Sequence, residues 1–482
     1  MKVKLTSIII LFLLTLYFLF SSQIGKKDSF LRPVLNYLPS DLKDSVKYYL
    51  FPGEIKKIYD GIIKKEKNTI SRLENENHLL KKIVSDRIYE FGYVPFTYLR
   101  TDKIQIKNNK LKLNIFSSDN FWIGKGAGAK GSGYLEYHDN KIFFAGANGF
   151  FSYFDFAQFS ENKFRSNLIN SNFMDFVNKD TFEIPSNDGI KDLFIHNNQI
   201  FVSYTNEVLK NGEKCFNTAI VSANLNINYL DFNSFFMPKD CATLSGGFGF
   251  STHHSGGRMV LLDDDHLLFT IGEYRKRSKA QDISSELGKL LKINISDKNY
   301  EIISLGSRNQ QGLTLNKKTN TIFMTEHGPN GGDEINIFQI NDIPTNLGWP
   351  ISSYGEHYKG ITDLYPNVYD FHPLHKSHSD YGFHEPFQYF TPGIGISEII
   401  FFDKYSFFDN ENYKLLMGSM GGDTKEGDLS LHYFELNNNY SKLYHEVLPI
   451  DERVRDMIYI KDKNIIVLFL ENTASIAILE LN

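Results

Sequence analysis

Residues 251–274 read STHHSGGRMVLLDDDHLLFTIGEY, and the reading of this stretch decides the fold. Two apolar runs, MVLL and HLLFTI, flank Asp263, Asp264 and Asp265, the pattern of a strand, a polar turn and an antiparallel return. A Gly-Gly pair precedes this hairpin, and His253 and His254 precede the glycines. Similar units recur along the chain: KIFFAGANG, QIFVSYTNE, TIFMTEHG, KLLMGSMGG and NIIVLFLEN are short runs of apolar residues closed by Asn, Glu or Gly. No long helical periodicity separates them, so residues 96–482 are expected to form an all-β array of repeated sheets. A four-stranded blade takes roughly 40 to 65 residues, so this length allows six to nine blades of a β-propeller and is far too long for a single sandwich.

Composition agrees with a folded, well-buried chain: 41% of the 482 residues are hydrophobic and 15% aromatic. The formal net charge of -5, with lysines scattered among acids, argues against nucleic acid as a partner. Ahead of the strands, Lys2 and Lys4 precede an uncharged run from Leu5 to Phe20. This predicts a signal anchor or signal peptide over 1–24, with the remainder exported to the extracytoplasmic, periplasmic side and an uncleaved membrane anchor favoured. Residues 25–95 are predicted to be a helical stalk or packing region, because Ile55, Ile58, Ile62, Leu73, Leu80 and Val84 recur at helical spacing within the charged segment 54–90. In an exported chain Cys215 and Cys241 are free to pair, although two buried thiols fit the sequence equally well.

Four segments carry chemistry, each at a strand end or turn. His254, beside a flexible turn, has the near-neutral titration that suits a general base; two surface histidines ahead of a hairpin are the bland alternative. In 305-LGSRNQQGLTL-315, Arg308 followed by Asn309 suits a polyanionic or carbonyl-rich ligand, although an Arg-Asn turn can equally be structural. In 326-EHGPNGGDEIN-336, a Gly-Pro turn offers bare carbonyls among carboxylates, which suits a hard cation, though a hydrated turn has the same composition. In 451-DERVRDM-457, Arg453 and Arg455 lie two apart and so share one face of a strand. Either an anion lies between them or they form salt bridges to Asp451, Glu452 or Asp456. No phosphate-binding glycine loop, zinc spacing or nucleophile elbow is present in the sequence.

Taken in order, HHSGGRMVLLDDDHLLFTIGE, SSELGKLLKIN, SLGSRNQQGLTL, TEHGPNGGDEINIF, NLGWPISSYGEHY, YFTPGIGISEIIFF and DERVRDM resemble the glucose/sorbosone dehydrogenase family, and within it the aldose sugar dehydrogenases that use pyrroloquinoline quinone (PQQ). The resemblance runs from about residue 180 to the C-terminus. It implies a six-bladed β-propeller with PQQ and calcium (Ca2+) on the channel face, oxidising the anomeric carbon of an aldose substrate to a lactone and passing electrons to an extracytoplasmic acceptor. By the same resemblance, Gly328 and Pro329 offer carbonyls to calcium and His254 is the base. Arg308 and Asn309 contact PQQ, with Arg308 also stabilising developing negative charge. Arg453 and Arg455 bind the cofactor's carboxylates, and Asn187 stands where the family has a Gln. Asp333 matches an acid at the substrate and cofactor edge, and His327 stands where some members have Gln.

The chain also departs from the family pattern. His253 stands where an Asp often precedes the base, and a neutral His cannot supply the charge that supports an imidazolium. Gly421 stands where many members have a Lys that pairs with PQQ, and a contact beneath the cofactor is replaced around Thr391 to Gly393. These departures leave an alternative, a non-catalytic propeller that binds glycan or protein through the channel face. A calcium-dependent lactonase would need a ring of carboxylate and Asn ligands, and EHGPNGGDEIN with RNQQG offers carbonyls and an Arg instead.

Overall fold

The turns expected from Asn, Asp and Gly have backbones that explain the residue types. Asp139 and Asn140, Asn197 and Asn198, and Asn211 and Gly212 occupy two-residue hairpin connections, and all six have positive φ, between 47° and 83°. That conformation continues the right-handed twist of the flanking strands and is tolerated by Asn, Asp and Gly at least cost.

The computed structural model describes residues 91–107, 109–118, 121, 131–182, 189–245, 249–408, 410–421 and 427–481. The segments expected as an anchor (1–24) and as a helix (54–90) lie outside the described residues, as does Asn187. Among the described residues no helix is long and apolar enough to cross a membrane.

The described residues are mostly β-strand, built of mainly antiparallel sheets laid down in chain order. Gly133–His138, Lys141–Gly146, Phe151–Asp155 and Lys163–Ser171 make the first; Ile190–His196, Gln199–Lys210, Glu213–Asn224 and Asn233–Phe236 the next. Sheets that begin at Gly256–Asp263, Gln310–Asn316 and Ile396–Phe402 follow. Val454–Ile460, Ile465–Leu470 and Ser475–Leu481 take their fourth partner from the N-terminal side, Asn109–Ser117, in register from Leu111 opposite Leu481 to Phe116 opposite Ile476. Tyr93–Ile106 pairs with both Asn109–Ser117 and Lys163–Ser171, tying this sheet to the first. The leading strands of successive sheets are neighbours, and Val454–Ile460 returns to Gly133–His138, so the array is a propeller-like ring.

The core lies between sheets. Phe144 and Leu135 pack on Phe469 and Ile476 across the closure, Phe201 and Phe236 on Leu267 and Phe269, and Leu416 on Leu468. A sheet packed on both faces needs apolar residues at successive positions, which is why TIFMTE is buried throughout and KIFFAG nearly so. Cys215 and Cys241 are bonded, Cα atoms 5.5 Å apart, at the edge where Ala242–Thr243 pairs with Glu213–Asn224.

Five leading strands have a register irregularity within their first residues, between Ile190 and Asp192, Gly256 and Met259, Gln310 and Gly312, Ile396 and Ile399, and Val454 and Asp456. Such bulges re-aim side chains, and here they occur where the strands enter the central cavity.

Candidate active site

A cavity of about 650 Å³ opens where the leading strands begin, a volume in the range that holds small ligands. Its wall includes His254, Arg308, Asn309, His327, Gly328, Pro329, Asp333, Arg453 and Arg455, so nine residues singled out along 200 positions of sequence meet in one place.

His254 ends a short 3-10 turn, Thr252–His254, whose start is capped by Ser251 accepting from the His253 N–H at 3.2 Å. Its carbonyl accepts from the Tyr274 N–H at 3.0 Å, and a Cβ on Gly272 would lie 2.0 Å from that oxygen. Only glycine lets the two chains approach this closely. Nε2 of the buried His254 lies 3.0 Å from Nη2 of Arg308, and Nδ1 lies 2.5 Å from Oε1 of Glu273. A guanidinium can only donate, so Nε2 is the acceptor and the proton sits on Nδ1, donated to Glu273. Burial and then the charges of Arg308 and Arg275 hold the imidazole well below its ordinary titration, so it is neutral. Burial pushes the Glu273 carboxyl up, with Arg308 and Arg277 opposing.

Glu273 corrects one expectation. His253 brings no negative charge to its neighbour His254, but Glu273 supplies a carboxylate from across the hairpin. In the sequence it is only the acid that ends TIGE, and nothing there ties it to a residue 19 positions away.

Arg308 is fixed at three points besides His254. Its N–H donates to Oε2 of Glu326 at 2.7 Å, Nη1 donates to the His327 carbonyl at 2.8 Å, and its guanidinium lies 5.5 Å from the centre of the Trp349 ring. Nε2 of His327 donates to the Ile396 carbonyl at 2.7 Å, and burial lowers its titration. Asn309 accepts at Oδ1 from the Gly256 N–H at 3.3 Å and from Gln311 at 3.0 Å.

Asp333 lines the cavity, but its oxygens are taken by backbone. Oδ1 accepts from Gly328 at 3.0 Å, and Oδ2 from Ile394, Gly395 and Ile396 at 3.0, 2.7 and 3.3 Å. This carboxylate holds the Gly328–Pro329 turn against the 394–396 turn. The first turn is tight, since a Cβ on Gly328 would lie 2.2 Å from the Gly332 carbonyl. The Pro329 carbonyl accepts from the Tyr358 hydroxyl at 3.0 Å and retains a lone pair.

Arg453 and Arg455 share a face, as their spacing predicts, and the carboxylate between them is Glu471 rather than Asp451, Glu452 or Asp456. Nε of Arg453 donates to Oε2 at 2.7 Å and Nε of Arg455 to Oε1 at 2.9 Å. Burial would raise Glu471, but Arg455 and then Arg453 outweigh it and hold the carboxyl at about 2. Nη1 of Arg455 also donates to Gln311 at 3.2 Å, and Arg453 donates to the Met420 carbonyl.

One step further along the strands, Arg258 reaches every leading strand. Nε donates to the Gln311 carbonyl at 2.6 Å and Nη2 to the Arg455 carbonyl at 3.0 Å, while Nη1 lies 3.2, 2.7 and 2.6 Å from Asp192, Glu398 and Asp456. The guanidinium also lies 5.0 Å from the centre of the Tyr134 ring. One arginine thus ties together the backbones that carry the cavity's cations.

The departures at Gly421 and Thr391 have local causes. A Cβ on Gly421 would lie 1.8 Å from Oδ1 of Asp428 and 2.7 Å from the Ile394 carbonyl, so no side chain fits. The Thr391 hydroxyl accepts from Gly332 at 3.1 Å and lies 3.2 Å from the Tyr354 carbonyl, tying loops together.

This donor set fits an anionic, carbonyl-rich group. Arg308, Arg453 and Arg455, with Lys191 and Arg275 on the same wall, outnumber the cavity's carboxylates. Among the described residues no group of three or more His, Cys, Asp or Glu could hold a metal, so a hard cation here would rest on carbonyl oxygens such as those of Gly328 and Pro329. The model of the glucose / sorbosone dehydrogenase family matches residues 189–478, more than half of the chain. The chain belongs to the glucose/sorbosone dehydrogenase family. It is similar to an aldose sugar dehydrogenase (YliI) of Escherichia coli strain K12, 33% identical over 205 residues, 39% of this chain and 49% of the relative. It spans about half the length of the curated relatives it matches. Among solved structures, the fold is shared with the apo-form of the soluble aldose sugar dehydrogenase of Escherichia coli (TM-score 0.55, 22% identity, 73% of this chain and 96% of that one). It is also shared with the PQQ-bound form of an aldose sugar dehydrogenase of Streptomyces coelicolor (TM-score 0.50, 17% identity, 78% and 99%).

Proposed function

We propose that this member of the glucose/sorbosone dehydrogenase family is a PQQ- and calcium-dependent aldose sugar dehydrogenase, oxidising the anomeric carbon to a lactone and passing electrons to an acceptor outside the cytoplasm. The observation that carries this reading is His254, a buried neutral base between Glu273 and Arg308, in a cavity lined by Arg453 and Arg455. When bound, PQQ with calcium supplies a polarised carbonyl that accepts a hydride.

The chain's own residues supply the rest. A sugar hydroxyl entering the cavity competes with Arg308 for the lone pair on Nε2 of His254, which then takes the hydroxyl proton. The proton on Nδ1 stays with Glu273, whose charge stabilises the imidazolium as it forms. The freed Arg308 N–H remains available to an oxygen that gains negative charge. Arg453 and Arg455 hold carboxylates of the cofactor while Glu471 offsets part of their repulsion. Gly328 and Pro329 present carbonyls to calcium, and Asp333 keeps that turn in place.

In the same reading the array is a six-bladed propeller closed by Asn109–Ser117, and residues 1–24 anchor it on the extracytoplasmic side. The Cys215–Cys241 bond suits such an oxidising compartment. Gly421 lying against Asp428 favours the rival, a non-catalytic propeller that binds glycan or protein. A calorimetric and absorbance titration of the full-length protein with PQQ, with and without calcium, followed by dye reduction on aldoses, separates the two. Stoichiometric, calcium-dependent binding with dye reduction is expected, and no binding at high PQQ and calcium would leave the rival standing.

A further inference from the structure

The turn that begins at Glu273 carries residues its backbone does not favour. Lys276 donates its N–H to the Glu273 carbonyl at 2.7 Å, and the two central residues, Tyr274 and Arg275, have φ of 52° and 63°. Two positive φ in succession belong to the type I′ turn, which selects Asn, Asp and Gly. The chain obeys that preference at Asp139 and Asn140, at Asn197 and Asn198, and at Asn211 and Gly212. A bulky L residue in this conformation stores strain, and such strain collects at functional sites.

Packing accounts for Tyr274. Its side chain is fully buried, its hydroxyl lies 2.7 Å from that of Thr218, and its ring stacks on Phe250. Arg275 has no such explanation. It lines the cavity, its charge acts on the His254 imidazole, and among the described residues its guanidinium has neither an ion-pair partner nor a hydrogen-bond acceptor. The other arginines of the wall are engaged: Arg308 by His254 and the His327 carbonyl, Arg453 and Arg455 by Glu471. Arg275 also enters from a different side, since it follows the hairpin Gly256–Ile271, whereas Arg453 and Arg455 stand at the start of the closing sheet. A strained turn thus directs one unpaired cation at the place where a substrate must sit for His254 to reach its hydroxyl.

We infer that Arg275 is a specificity residue that binds a carboxylate on C6 of the sugar, so that the preferred substrates are uronic acids rather than neutral aldoses. This rests on the sugar dehydrogenase reading and deepens it. In a pyranose, C6 is joined to the anomeric carbon through C5 and the ring oxygen alone, so a carboxylate there lies close to the hydroxyl that His254 deprotonates. A guanidinium fork matches a planar carboxylate with two parallel hydrogen bonds. A neutral aldose offers Arg275 only hydroxyls, which return less than a charge-assisted bond. The chemistry at C1 is that of the proposed function, and the product is the lactone of a dicarboxylic acid.

The test compares kcat/KM for glucuronate and glucose in the full-length protein loaded with PQQ and calcium, for wild type, Arg275→Gln, Arg275→Lys and Arg275→Gly. Glucuronate is expected to exceed glucose roughly tenfold, mainly through KM. The ratio should fall toward one in Arg275→Gln and Arg275→Gly and be largely kept in Arg275→Lys. Any effect of the lost charge on His254 acts on both substrates and cancels in the ratio. Arg275→Gly suits the positive φ and should melt close to wild type, so its lost preference is not a folding defect. A wild-type ratio at or below one, or a ratio unmoved in Arg275→Gln, overturns the proposal while glucose oxidation still upholds the dehydrogenase reading. A PQQ affinity, read by absorbance titration, that falls as far in Arg275→Gln as in Arg453→Gln also overturns it and assigns Arg275 to the cofactor. If no sugar is oxidised that reading fails, and calorimetry of glucuronate with the cofactor-free protein decides the carboxylate site. Binding lost in Arg275→Gln and kept in Arg453→Gln supports it; no binding in wild type, or binding unchanged in Arg275→Gln, overturns it.

Discussion

His254 is suited to act as the base of the proposed reaction because of what touches it. Arg308 forces Nε2 to be the acceptor, Glu273 keeps the proton on Nδ1, and burial keeps the ring neutral. Since its titration lies well below the ordinary value, acid should silence the enzyme only when the pH falls through that lowered value. The profile of kcat/KM should therefore show no loss near pH ~6.5, where an exposed histidine would titrate. An acidic limb centred there or above would remove His254 from the role. His254→Ala should lower turnover by ~10² to 10⁴ while PQQ binding, followed by absorbance titration, stays nearly intact. Glu273→Gln keeps the hydrogen bond but removes the charge, so a smaller loss of kcat is expected, and turnover equal to wild type would show the carboxylate is dispensable.

Short elements act by how closely they approach. The Gly328–Pro329 turn is held by Asp333 and closes on the Gly332 carbonyl at a distance no Cβ can share. Gly328→Ala should shift this cavity-lining turn, lowering the calcium-dependent PQQ affinity expected from the proposed function and costing about 1–3 kcal/mol of stability, to be read by titration and thermal melting. A variant with native affinity would show that the carbonyls do not hold the cation. The leading strands work similarly, because a bulge at the start of five of them aims their first side chains into the cavity before regular pairing resumes. Those positions appear in the sequence as polar residues at strand entrances, RNQQG and DERVRD, which hydrophobic patterning passes over.

Closure of the ring is a property of the whole molecule and depends on polar as well as apolar contacts. Around Arg258, burial outweighs the arginine and pushes Asp192 up to about 7 and Glu398 up to about 8. Acids raised in the folded state bind protons that the unfolded chain has lost, so this cluster stabilises below their ordinary values, near pH ~4, and loses that contribution as pH rises through about 7 to 8. Glu471, held at about 2, works oppositely: its contribution is full above its ordinary value and is lost as pH falls toward 2. Melting followed from pH 5.5 to 8.5 should therefore fall with rising pH, and the slope should shrink in Asp192→Asn. A flat profile would mean the carboxylates do not share protons with the solvent in this range. Arg258→Met leaves the carboxylates around it buried without their cation and should cost about 3–5 kcal/mol. It should also weaken PQQ binding, because Arg258 holds the backbones of Gln311 and Arg455.

The sequence by itself determined the class of fold and named nine residues that line one cavity. Apolar runs closed by Asn, Asp and Gly need both faces covered and permit tight hairpins, so an array of stacked sheets follows from local physics. The motifs around His254, Arg308, Gly328 and Arg453 each carry a residue type suited to one task, and all of them line one cavity. Only the tertiary structure decided the partners. Glu273 and Glu471 were not legible because an acid at a strand end looks alike whether it faces water or a buried cation. Asp333 was read as an acid at the site's edge, yet four backbone amides converge on it from two turns more than 60 residues apart. The Arg258 cluster draws on every leading strand, and closure pairs Asn109–Ser117 with the C-terminal strand. Such pairings depend on ring geometry, which brings distant segments together without leaving any local periodicity to reveal them.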